Sequence, residues 1–145
     1  MEGMSTIVKK VTQLLAGIIF IYGIYIVLHG HITPGGGFAG GVIIAGAFIL
    51  LILAFGSSAL NLKKEVAGTS NTESVAILMV VILALMALLF GAKVFFSNFL
   101  AKGEPGELLS AGVIPLYNIF IGIEVAGAIL TIFLALVIFK EEDSK

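Results

Sequence analysis

The 145-residue sequence predicts an all-α integral membrane protein: four transmembrane helices with both the N-terminus and the C-terminus cytoplasmic. Three observations predict it. The composition is too apolar for water, four stretches match the thickness of a bilayer, and the lysines gather on alternate connections.

With 59% hydrophobic residues, 12% charged residues and a mean hydropathy of +1.18, a water-soluble domain of this size could not cover its own apolar surface. A net charge of -1 with eight basic residues, all lysine, leaves no basic patch for nucleic acid. The absence of cysteine excludes disulfides, thiolate nucleophiles and cysteine-ligated zinc or iron–sulfur clusters within this chain. No cofactor is expected here, and any redox chemistry belongs to a partner.

A spanning helix needs roughly 20 mostly apolar residues to cross about 30 Å of hydrocarbon. Four segments meet that length, at about 8–29, 34–57, 71–97 and 113–139, and they make residues 1–145 a single membrane domain. The first resembles a signal peptide in having Lys9 and Lys10 ahead of an apolar core. That core is long for the purpose, and His-Gly-His-Ile-Thr-Pro is no small-residue cleavage site, so it reads as a retained helix. For the second, Thr33 before Pro34 is an N-cap and first helical position, since proline lacks only a donor that would be unpaired there anyway. For the third, Ser70 followed three residues later by Glu73 has capping-box spacing and marks a helix start. Between the helices lie a tight 29–37 connection, a polar 57–73 loop and a 97–112 loop. Lys9, Lys10, Lys63, Lys64, Lys140 and Lys145 flank the two termini and the second loop, which places those on the cytoplasmic side.

The 29–37 connection opens the stretch HGHITPGGGFAGG. Gly35, Gly37 and Gly40 match G-x-G-x-x-G, but a dinucleotide site requires a preceding strand and a soluble βαβ unit, and both are missing. The better reading is packing. Gly36/Gly40 and Gly37/Gly41 are spaced by four, with Ala45 continuing the second row, which lets a second helix or another subunit approach closely in lipid. His29 and His31 would converge on a metal only in an extended segment, and no third ligand lies nearby. They read as interfacial histidines bonded to loop backbone, or as a proton or cation way-station at the outer mouth.

Two charges fall inside the expected helices. Glu124 is nine residues past Pro115, about 13 Å along a helix axis and near mid-membrane. A carboxylate at that depth costs on the order of 3 kcal/mol on insertion scales, so it should face protein or water. It is either a structural bond across a subunit boundary or a station on a proton or sodium route. On a helical wheel Tyr117, Glu124, Ala128 and Thr131 form one arc, and Asn118, Gly122 and Ala126 a neighbouring small-residue arc. Lys93, near the end of the third segment, reads as a snorkelling cation or as the pair of a partner's acid.

Two stretches, LHGHITPGGGFAGGVIIAGAFILLILAFG and IPLYNIFIGIEVAGAIL, resemble the B subunit (MnhB or MrpB type) of multisubunit Mrp-type sodium/proton antiporters. The resemblance runs from the first helix to the fourth. It is carried by His29, Pro34 to Phe38, Gly40 and Gly41, and later by Pro115 and Asn118. It implies a small four-helix subunit of a hetero-oligomeric Mrp-type complex, partnered by other subunits, the lipid bilayer, sodium ions and protons. Relatives of that subunit also occur in membrane-bound hydrogenases and related respiratory complexes, so a redox-driven host is a second possibility. One midplane acid does not make a complete two-ion exchanger, because a proton route uses a chain of ionisable groups. The expected function is a non-catalytic subunit that lines or supports an ion path, with a purely structural assembly role as the alternative.

Overall fold

The computed structural model describes residues 3–56, 62–107 and 110–142. The regular elements among them are four helices: α1 (Thr6–His29), α2 (Gly36–Phe55), α3 (Leu62–Leu89) and α4 (Ile114–Glu142). Each contains a stretch long and apolar enough to cross a membrane, as the sequence predicts. The Ser5 side chain caps α1 by accepting from the Val8 N–H.

Three boundaries differ from expectation. Helix α2 is opened by Gly35 rather than by Thr33 and Pro34. The Thr33 hydroxyl donates to the His29 carbonyl (3.1 Å), so it closes α1 instead of starting α2. The reversal is made by Gly35 and Gly36, at φ 140° and 79°, where a side chain would be strained.

Helix α3 begins at Leu62, so Ser70 and Glu73 lie two turns inside it and form no capping box. The polar run satisfies itself on its own helix. Thr69, Thr72 and Ser74 hydroxyls donate to the carbonyls of Glu65, Gly68 and Ser70 at 3.1, 2.9 and 3.0 Å. The same helix stops at Leu89, well short of residue 97, because Gly91 (φ 85°) makes a Schellman end. The Ala92 N–H reaches Ala87 O (3.1 Å), and the Gly91 N–H reaches Leu88 O (3.0 Å).

The helices pack in a row, α1 on α2, α2 on α4 and α4 on α3, with a short α1–α4 contact. Helix α3 therefore stands at one edge with α4 as its main support. The Met4 N–H donates to Ala54 O (2.9 Å), bringing the start of α1 to the end of α2. On the opposite face the His31 ring meets Glu107 O and joins the connection after α1 to the one after α3.

Candidate functional site

Glycine does most to set helix spacing. A Cβ on Gly41 would lie 2.6 Å from Gly122 O, and one on Gly23 2.7 Å from the Ile44 side chain. Both glycine rows of α2 are thus used inside this chain. Gly40 faces Gly23 and Val27 of α1, whereas Gly37 and Gly41 face Asn118, Gly122 and Val125 of α4. Ala45, the next member of the second row, is fully buried.

Asn118 belongs to this contact in a specific way. Its Oδ1 accepts from the Gly37 N–H (3.4 Å), an otherwise free donor in the first turn of α2. Gly35, the local cap, has no side chain to offer, so α4 caps α2 from 81 residues away. The Asn118 Nδ2 lies buried near Gly30 without a hydrogen-bond partner, as does the Tyr117 hydroxyl one residue before it. Pro34 lies in the exposed turn outside this contact.

The polar arc of α4 meets α3. Thr131 Oγ1 donates to Thr69 Oγ1 (2.8 Å), and one turn earlier Gly127 admits Glu73, whose backbone N and Cβ are 3.4 Å from where a glycine Cβ would stand. These two contacts set an antiparallel register. Glu124, three residues before Gly127, then falls opposite Ala76, and its level is about 4.5 Å along the axis from that of Glu73. Both glutamates are half-buried. Gly127 is the midpoint of the apolar Ile114–Lys140 span, so Glu73 sits at the level of that midpoint and Glu124 within one turn of it.

The acid that sequence reasoning missed is therefore Glu73. Its capping-box spacing assigned it to an interface, and the only counter-signal was the hydroxyl-rich run around it, which suits a helix that bonds back on itself. Thr69 was missed for the same reason.

The remaining candidates lie elsewhere. His29 ends α1, its ring stacked on Tyr25 (centroids 4.1 Å) and its Nδ1–H donating to Tyr25 O (3.0 Å). His31 donates from Nε2 to Glu107 O (3.3 Å), with Nδ1 buried and unpartnered. The two imidazoles thus engage different partners. Lys93 is exposed in the connection beyond α3, outside the helix that the sequence expectation placed it in.

A family model described as a domain related to the MnhB subunit of Na+/H+ antiporter matches residues 7–131. The chain belongs to the MnhB family. The matched residues include Glu73, Asn118, Glu124 and Thr131. This MnhB-family chain is 35% identical over 132 residues to an uncharacterized protein of Methanocaldococcus jannaschii, covering 88% of this chain and 50% of that one. It is 34% identical over 150 residues to a Staphylococcus haemolyticus protein named as antiporter subunit mnhB2, covering 94% and 96% of the two. Among solved structures, a chain of the membrane-bound sulfane sulfur reductase, an archaeal respiratory membrane complex, superposes with a TM-score of 0.74 at 34% identity. That match covers 89% of this chain and 56% of the other. The chain thus spans about half the length of the two archaeal relatives and nearly all of the staphylococcal one. Four apolar spans and these relatives make it a multi-pass protein of the cell membrane.

Proposed function

We propose that this MnhB-family chain is a non-catalytic subunit of a multisubunit sodium/proton antiporter-type assembly, and that its α3–α4 seam is a station on the ion route. The observation that carries this reading is that Glu73 and Glu124 stand on the facing helices α3 and α4 within one turn of the same level, near the middle of the apolar span and close to a hydroxyl pair. A carboxylate in a low-dielectric layer is costly without a counter-charge, and two at nearly one level give a proton or a sodium ion successive places to be held. Ionisable groups at this depth mark ion pathways more often than they serve as inert packing. The loop-side groups His29, His31 and Lys93 would stand at the mouth of the route, on the face away from the termini. The lysine distribution supports cytoplasmic termini. The likeness to a chain of a respiratory complex supports a redox-driven host as well as a stand-alone exchanger.

The test is sodium-driven proton movement in everted membrane vesicles carrying the assembled complex. Glu124→Gln and Glu73→Gln should each lower exchange by tenfold or more while the complex keeps its subunits. Parental exchange rates in both variants would leave only the structural assembly role.

A further inference from the structure

Helix α3 carries polar side chains on the side turned away from its own protein. Asn71, Thr72 and Ser74 are all exposed, although they lie inside the Lys64–Leu89 span. Their depth follows from Glu65, which stands at the rim beside Phe55 and Gly56 at the end of α2. Asn71 is six residues further along, about 9 Å deeper, and Ser74 about 13 Å deeper. The register agrees, since Asn71 falls opposite residue 129, in the apolar body of α4.

The two hydroxyls turn back onto Gly68 and Ser70 carbonyls and need nothing from outside. A carboxamide differs, because it has two N–H donors and two acceptor lone pairs. A carbonyl of its own helix can take a second bond, as it does from the hydroxyls, but the backbone N–H groups at this depth are used up in the α-helical ladder, so that helix cannot satisfy the carboxamide oxygen. Hydrocarbon offers it no partner, and a polar group unpaired there costs several kcal/mol.

Asn71 also stands in a concave place. Together with Thr72, Val75 and Met79 on α3 and Phe120 and Ile123 on α4 it lines a groove of about 310 Å³. Asn71, Val75 and Met79 are spaced by four, which is one continuous ridge of a helix. The groove is apolar along most of its length and polar at its Asn71 end. A larger cavity, lined by Phe48, Phe55, Glu65 and Leu130 among others, lies nearer the start of α3.

We infer that this groove seats a transmembrane helix of another subunit, one whose contacting face is apolar except for a single hydrogen-bonding side chain that meets Asn71. A lipid chain would fill the apolar length and leave the carboxamide dry. A helix with one amide or hydroxyl group satisfies both ends of the groove. The inference rests on the multisubunit reading above and adds the surface and the chemistry of the partner.

The experiment uses the complex isolated in mild detergent through a tag on this chain, with a photoreactive phenylalanine at Val75 or, as a control, at the exposed Ile77 on another face of α3. The expected result is an adduct from Val75 to a membrane-spanning peptide of one other subunit, with a polar residue within a turn of the cross-link, and no adduct to that peptide from Ile77. Asn71→Leu should reduce retention of that same subunit at least tenfold, and Asn71→Gln should preserve it. A Thr69→Cys/Thr131→Cys pair that still forms its disulfide in the Asn71→Leu background shows that the α3–α4 seam is intact. Lipid or self adducts from Val75, or unchanged subunit content in Asn71→Leu, would overturn the inference. Ion exchange reports on Glu73 and Glu124 separately, so loss of a subunit in Asn71→Leu with normal subunit content in Glu124→Gln tells the two readings apart.

Discussion

Thr131 and Thr69 meet hydroxyl to hydroxyl at 2.8 Å across the α3–α4 seam, and Thr69 passes the bond on to the carbonyl of Glu65 at 3.1 Å. This contact fixes which residues of the two helices stand level. A shift of one turn would separate Glu73 from Gly127 and change its level relative to Glu124.

Removing the pair tests how much that register depends on it. Interhelical hydrogen bonds in membranes average about 0.6 kcal/mol. Thr131→Val and Thr69→Val should each cost about that much, and the double variant little more than either. Reversible unfolding in mixed micelles with a double-mutant cycle measures it, and full additivity would show that the hydroxyls do not act together.

Asn118→Ala removes the acceptor that caps α2 from outside. A lost cap costs about 1 kcal/mol, and the loss is partly offset because the unpaired Nδ2 disappears with it. Hydrogen exchange at the Gly37 and Phe38 amides should speed up, while exchange in the middle of α3 stays unchanged.

The glycines of α2 are unequal. Gly41→Leu drives a side chain into Gly122 and Val125 and should separate α2 from α4, at a cost of several kcal/mol and with poor recovery of folded protein. Gly46 has nothing within 4 Å of an added Cβ, so Gly46→Ala should raise stability by up to about 1 kcal/mol through helix propensity. Thermal stability in one detergent compares the two.

The limits of α3 give an opposed pair. Ser70→Ala should change stability by no more than about 0.5 kcal/mol, because Ser70 caps nothing. Gly91→Ala forces a side chain into φ 85° and should cost about 1–2 kcal/mol. A capping role for Ser70 would reverse the ranking.

The hydrophobic spans were legible because hydrocarbon selects for length and apolarity, and both are local properties of a segment. Glu124 was legible for the same reason, as one carboxylate in the middle of an apolar run. The small-residue arc through Asn118 and Gly122 was also readable by helical spacing, and it does face α2. Glu73 was not. Its neighbours Ser70, Asn71, Thr72 and Ser74 have the composition of a loop, and they become helix because the hydroxyls bond back to their own carbonyls while α4 supplies a surface to pack on.

By itself, then, the sequence determined the solvent, the four apolar spans and the place of Glu124 inside the last of them. Only the tertiary structure decided that Gly37 and Gly41 meet α4 while Gly40 meets α1, that Asn118 caps a helix 81 residues away, and that a second acid, Glu73, stands on the adjacent helix within a turn of the level of Glu124. The physical reason is that transfer into lipid is priced segment by segment. Register between two helices is instead set by close backbone approach and by a single hydroxyl contact, which no one segment contains.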